Sequence, residues 1–337
     1  MASIAPAIPQ KKRARVEWLD LFRGAAVLAM IETHVVNTFL APGLREAAWF
    51  GWLEWSNGLV APAFLFIAGY ALGMGGRVEK SGGFARKAKR LGGVAALGYA
   101  LHFPWMEIGP GRWAEALRTG SQVDVLQCLA AALCCVLAVQ ALCGGLAEKW
   151  RSAGRLAMLS ALAAGTVLLA PVSAHWSGGP VPFAAFLNDH TGSLFPLFPW
   201  AAFVFAGALA GMFSAQRAGW LLVAAAVVKG CALLADDGVF SALSPAFFGA
   251  RLAWVLALAA LCRGIAWVWT PRGVLFAGRE SLVMYAGHLL IIAWSVQAGV
   301  PHGGFGWMGV TGIFAVVLGA TFAVAWAKAK WSARTRA

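Results

Sequence analysis

Between Arg15 and Asn37 the chain reads RVEWLDLFRGAAVLAMIETHVVN, an apolar stretch that carries Asp20, Arg23, Glu32 and His34. At about 100° per residue, Asp20, Arg23 and His34 fall within about 60° of one another, while Glu32 lies roughly opposite His34. Asn37 and Thr38 stand near the same face, so one stripe runs from an acid–base pair to a histidine. An ionisable group facing a bundle interior at depth is costly and marks a functional position by default. Neutral imidazole can take a proton from an attacking hydroxyl or amine and return it near neutral pH. Arg23 stays charged and Asp20 is a weak base. These two suit holding the helix or a donor's polar group, or snorkelling to the interface as a pair.

Two more histidines stand within apolar runs, His102 in GYALHFPW and His288 in SLVMYAGHLLII, together with Lys229 and Arg251. Each alone fits a structural role. With His34 they point to a polar, water-accessible interior, because lone charges are not tolerated facing lipid. His175, Asp189, His190 and His302 fall between the apolar runs. Asp189 and His190 could line an acceptor site, although loop residues of this kind are usually just solvated. Cys128, Cys134, Cys135, Cys143, Cys231 and Cys262 show no metal-ligand spacing with histidine and read as small packing residues. No metal is expected.

The elements that must hold these groups are membrane-spanning helices. Of 337 residues, 60% are hydrophobic and 12% charged, against about 25% charged in a soluble domain. Seventeen Trp and forty Gly fit the same class, since indoles sit at membrane interfaces and glycine permits close helix contact. A net charge of +13 would suit nucleic acid, but the basic residues come in short clusters between apolar runs, as in cytoplasmic loops. We expect no nucleic-acid partner. A span needs about 20 mostly apolar residues. Ten stretches qualify, at about 19–40, 57–75, 91–108, 122–146, 154–172, 195–213, 219–236, 246–268, 280–299 and 307–327.

The expectation is therefore an all-α bundle of about ten transmembrane helices. Basic loops carrying Lys11, Lys12, Arg13 and Arg15, then Arg77, Lys80, Arg86, Lys87, Lys89 and Arg90, alternate with loops poor in Lys and Arg. The alternation continues through Lys149, Arg151 and Arg155, then Arg217, then Arg263, Arg272 and Arg279, to Lys328, Lys330, Arg334 and Arg336. Under the positive-inside rule both termini are cytoplasmic, in a bacterial-type inner membrane. Residues 1–15 lack the apolar core of a signal peptide and read as a mobile basic tail. Residues 16–330 form one domain, and 331–337 a C-terminal tail. No connection is long enough for a further domain, and no internal repeat is visible.

The polar stripe and its neighbours carry a resemblance. WLDLFRGAAVLAMIETH resembles the opening of polytopic membrane acyltransferases, and APAFLFIAGYALGMG is similar to the second helix of the heparan-α-glucosaminide N-acetyltransferase family. RKAKRLGGVAALGYALH, DVLQCLAAAL, FPLFPWAAFVFAGALAG and GRESLVMYAGHLLI resemble later helices of that family, in order, from residue 15 to about 292. The resemblance implies transfer of an acetyl or related acyl group from cytoplasmic acyl-coenzyme A to an acceptor reached from the other side. It places His34 as base or acyl carrier, with Asp20 and Arg23 as helix partners, and His288 in the family's ninth-helix histidine pattern. Two departures stand out. The loop before the second helix has no histidine, and Asn57 and Gly58 stand where the heparan branch has an acidic residue.

The basic inner loops suit a polyanionic donor, through Arg86, Lys87, Arg90 and Arg279. Asn57, His102, His288, Arg251, Asp189 and His190 are the candidates to line the channel or meet the acceptor. Expected partners are membrane lipid, acyl-coenzyme A and a sugar, glycan or lipid-linked acceptor. A secondary transporter or flippase for an anionic or glycan substrate is the alternative, and a silent scaffold a third. Gly69-x-x-x-Gly73 and Gly207-x-x-x-Gly211 allow close packing within one chain as readily as between two, so a homo-oligomer stays open.

Overall fold

The computed structural model describes residues 16–75, 83–105, 109, 111–214, 219–236, 238 and 241–335. The expected N-terminal tail and Lys11, Lys12, Arg13, Arg15, Arg77, Lys80, Arg217 and Arg336 lie outside them. Among the described residues every regular segment is helical, and the one β-bridge joins Leu40 to Phe305. In chain order the first helices are α1 (Glu17–Phe39), α2 (Phe50–Asn57), α3 (Val60–Gly73), α4 (Gly83–His102) and α5 (Trp113–Gly120). The middle of the chain forms α6 (Val125–Gly144), α7 (Glu148–Leu168), α8 (Ala170–Ala174), α9 (Val181–Leu187) and α10 (Leu197–Met212). The last are α11 (Gly219–Leu234), α12 (Pro245–Ile265), α13 (Arg272–Arg279), α14 (Ser281–Gln297) and α15 (Trp307–Arg334).

A helix stands at each of the ten stretches expected to be apolar spans. Among the described residues four are long and apolar enough to cross a membrane: α2 running on into α3, α6, α12 and α15. Counting α13 and α14 as one span, bent by 86°, makes five. The others fall short for visible reasons. α1 carries Glu17, Asp20, Arg23 and Glu32; α4 opens on Arg86, Lys87, Lys89 and Arg90; α7 on Glu148, Lys149 and Arg151. α10 and α11 have 16 residues each, about 24 Å at 1.5 Å per residue, against a hydrocarbon core of about 30 Å.

Glycine decides the closest crossing. A Cβ at Gly69 or Gly73 of α3 would fall on the carbonyls of Val204 or Ala208 in α10, and one at Gly207 or Gly211 on those of Phe66 or Tyr70. Both small-residue motifs are thus used against each other within the chain, backbone to backbone. Their neighbours Phe64, Phe66, Tyr70, Phe203 and Phe205 fill the largest of three hydrophobic clusters among the described residues, with residues of α6 and α12. The second core joins the C-terminal half of α1 to α13, α14 and α15, through Val27, Ile31, Val35, Phe39, Ala277, Met284 and Val317. α1 contributes to both, so it is the wall between two half-bundles.

The two ends of that wall are held firmly. At its N-terminal end, Gly24 and Gly278 bring α1 and α13 together, since a Cβ at either would strike the carbonyl of Val274 or Asp20. At its C-terminal end the last carbonyls would lack partners within the helix. Arg45 donates to Asn37 O at 2.9 Å and Leu40 O at 3.2 Å, while Gly303 N and Phe305 N donate to Thr38 O and Phe39 O at 2.9 and 3.0 Å.

Candidate active site

Four helices bring polar groups together beside the second half of α1. His34 comes from α1, His102 from the last turn of α4, Asp124 from the position preceding α6, and Tyr285 and His288 from α14. Tyr285 and His288 are three residues apart and so share a helix face. The His34 and His288 ring centroids are 5.2 Å apart, and Tyr285 meets His288 edge-on at 5.7 Å. Tyr285 Oη donates to Asp124 Oδ2 at 3.0 Å, and His102 Nε2 lies 2.9 Å from the same oxygen. Asp124 and His102 are both near enough to act electrostatically on His34.

Hydrogen-bond chemistry distinguishes the three rings. His102 Nδ1 faces the carbonyl of Gly98 at 3.0 Å while its Nε2 faces the carboxylate. Both partners only accept, so both nitrogens act as donors and the ring is committed. His288 Nδ1 faces the carbonyl of Met284 at 2.8 Å and must carry the hydrogen. Its Nε2 therefore presents a lone pair. That atom is buried without a hydrogen-bond partner among the described residues, in a side chain wholly removed from solvent. His34 also has no hydrogen-bond partner among them.

Asp124 owes its position to the loop after α9. Ser193 Oγ accepts from Val123 N at 2.9 Å, Phe195 N donates to Val123 O at 3.1 Å, and Gln122 Nε2 donates to Thr191 O at 2.9 Å. Buried Asn188 anchors that loop, donating to Ser173 O and Trp176 O at 2.9 and 2.8 Å and accepting from His190 N at 3.1 Å. Asp189 and His190 are themselves exposed. Asp189 lines a cavity of about 490 Å³ with Asn188, Ser241 and Trp200. The structure brings neither side chain to the histidines.

Asn57 and Arg251 belong elsewhere too. Arg251 Nη1 donates to Trp55 O at 2.6 Å, its guanidinium lies over the Trp55 and Phe247 rings, and it fills the space a Cβ at Gly58 would take. It joins α12 to the break between α2 and α3. Asn57 lies against Glu32, on the side of α1 away from His34.

Asp20 and Arg23 form a separate cluster. Asp20 Oδ1 is 3.7 Å from Arg23 Nη1, and its Oδ2 accepts from Arg279 Nε at 3.3 Å. Asp20 precedes His34 by fourteen residues, about 21 Å along a helix, so neither it nor Arg23 touches the histidine. Beside this cluster is a cavity of about 410 Å³ lined by Glu17, Trp18, Tyr70, Ser214 and Arg263. Arg263 donates to Ser214 O at 3.3 Å and lies over the Trp18 ring. Arg86 and Arg90 are exposed on the first turns of α4, and Lys87 is half-buried there. Among the described residues no hydrogen bond or ion pair joins these three to Asp20, Arg23 or Arg279.

Sequence reasoning missed Asp124 and Tyr285. Both had a signal. Asp124 occupies the N-cap position ahead of a long apolar run, and Tyr285, one of three tyrosines in the chain, stands three residues before a mid-span histidine.

Apolar helices closed around histidines and a carboxylate define a membrane protein with a cluster of ionisable side chains in its interior. The chain belongs to the heparan-alpha-glucosaminide N-acetyltransferase family, whose catalytic-domain pattern matches residues 15–235. Membership makes it a transferase of the membrane acetyltransferase type. The match takes in α1 to α11, with His34, His102 and Asp124, and ends before α14 with Tyr285 and His288. No curated protein matches the chain.

Proposed function

We propose that the protein moves an acetyl or short acyl group from cytoplasmic acyl-coenzyme A to a hydroxyl or amine of a sugar, glycan or lipid-linked acceptor on the outer side. The family uses acetyl-coenzyme A as donor in general, which supports that choice. The chain would cross a bacterial-type inner membrane ten times with both termini inside, in line with the alternation of basic and neutral loops. The observation that carries the reading is the division of α1 into two polar ends. One end has the Asp20–Arg23–Arg279 cluster and the cavity over Trp18 and Arg263. The other has His34 against His288.

In this reading the donor's phosphates meet Arg23, Arg279 and Arg263, together with Arg86, Lys87 and Arg90 from the neighbouring loop. Its pantetheine arm extends along α1 toward His34. The acceptor enters from the outer side, His34 takes its proton, and the oxygen or nitrogen attacks the thioester carbonyl. Holding both reactants in line in a dry site contributes much of the rate. His102 and Tyr285, both fixed on Asp124, form a rigid polar wall for that pocket.

The test is to mix purified protein with radiolabelled acetyl-coenzyme A and acceptor glycans, with and without His34→Ala, and follow thioester loss. Turnover that vanishes in the variant, with donor binding retained, is the expected result. Binding and turnover absent from both proteins would favour the transporter instead.

A further inference from the structure

The four titratable side chains around His34 are not equivalent. His102 has both nitrogens engaged, by Gly98 O and by Asp124. Asp124 is engaged by His102 and Tyr285, and the Tyr285 hydroxyl is spent on that bond. His288 alone combines a fixed tautomer with a free acceptor. Its Nδ1–H is held by Met284 O, and its Nε2 lone pair is buried and unpartnered among the described residues. A buried acceptor left unpaired is costly and rare in folded proteins. The packing around it explains the confinement: Tyr285 closes one side edge-on, and α15 approaches on another, with Thr321 against Gly287. Thr321 cannot serve as the partner, because its hydroxyl donates to Val317 O at 2.6 Å within its own helix. The ring that His288 faces is His34, at 5.2 Å between centroids.

We infer that His288 is the proton store of the site, receiving at Nε2 the proton that His34 removes from the acceptor. The inference rests on the acyl-transfer reading above and adds a second histidine to it. The sequence of steps balances. The acceptor O–H or N–H gives its proton to His34 as the oxygen or nitrogen bonds to the thioester carbonyl carbon. His34 passes the proton to His288 Nε2, which becomes an imidazolium still held by Met284 O. Collapse of the tetrahedral intermediate breaks the carbon–sulfur bond and releases the coenzyme A thiolate. The proton then returns through His34 to that thiolate, leaving both rings neutral for the next cycle. Burial suits a store rather than a first contact, since His34 is only partly buried while His288 is wholly removed from solvent.

The experiment compares wild type with His288→Asn, whose amide can keep the bond to Met284 O while nothing replaces Nε2. Rates in mixtures of H2O and D2O are read alongside kcat and KM for acetyl-coenzyme A and acceptor. A curved dependence on deuterium fraction is expected in the wild type, because transfer from acceptor to His34 and from His34 to His288 share one transition state, and a straight one in the variant. The variant's kcat is expected to fall roughly 100-fold or more, as for loss of a proton-transfer group, with both KM values within about twofold. A straight dependence in the wild type would overturn the inference even if His288→Asn failed to fold. A variant with kcat near wild type, or with curvature retained, would overturn it too while leaving the acyltransferase reading intact. No turnover in the wild type at all would instead remove the reading on which it stands.

Discussion

Asp124 is the residue on which the histidine cluster turns, because one carboxylate oxygen receives both His102 and Tyr285. Hydrogen bonds to a charged group contribute about 1.5–3 kcal/mol each, so Tyr285→Phe should lower stability by roughly that amount. Thermal unfolding in detergent would read it, and a loss well below about 1 kcal/mol would mean that the bond contributes little. Asp124→Asn should cost more, since it leaves His102 and the Tyr285 hydroxyl facing an amide inside the bundle. Acetyl transfer should fall with it, while donor binding at the far end of α1 stays near wild type. His34, His102 and His288 were recognisable in the sequence as polar residues in apolar runs. The aspartate that joins His102 to Tyr285 was not, because an aspartate at a helix start is ordinarily a cap facing water.

At the scale of elements, the crossing of α3 and α10 should tolerate nothing larger than hydrogen. Gly69→Ala or Gly207→Ala would press a methyl onto a backbone carbonyl and cost at least the 1–3 kcal/mol typical of overpacking, about the same range as an inserted methylene in a tight core. Gly165→Ala in α7 meets nothing within 4 Å and should be neutral or stabilising by up to about 1 kcal/mol. Comparing the yields and melting temperatures of the three variants would test whether contact, and not glycine content, matters. The loop holding Asp124 offers a second case. Asn188→Ala deletes the donors to Ser173 O and Trp176 O, and should reduce acyl transfer without changing affinity for the donor. A change in donor affinity would mean that the two ends of α1 are coupled. Both glycine motifs were readable beforehand, but their partners were not: the same spacing serves contact within a chain or between chains.

For the molecule as a whole, α1 separates two cores and carries a polar cluster at each end. That arrangement fits a substrate on either side of one membrane. The proposed topology predicts that a cysteine placed in residues 173–194 of a cysteine-free protein reacts with an impermeant maleimide in intact cells. One placed in the N-terminal tail should react only after permeabilisation. The reverse pattern would invert the bundle and put the histidine cluster on the donor's side.

Composition and periodicity were enough to establish an all-helical membrane protein and the ionisable residues inside its apolar runs, while of the ten spans expected four or five among the described residues are long and apolar enough to cross a membrane. Those properties follow from one-dimensional physics, since apolar runs and helix periods are local. Local signals could not decide which polar residues meet. Asp20, Arg23 and His34 share a face of one helix, yet the rise per residue sets them about 21 Å apart, and only the first two touch. Arg251 and Asn57 looked suited to a channel and instead tie α2 and α3 to their neighbours. Asp124 and Tyr285 meet across 161 residues of chain, and His34 meets His288 from the opposite end of the sequence. Their contact depends on how α14 packs against α1 and how α4 packs against α6 and α14. It is set by glycine-close helix crossings and a loop stapled by Asn188, neither of which any single stretch of sequence contains.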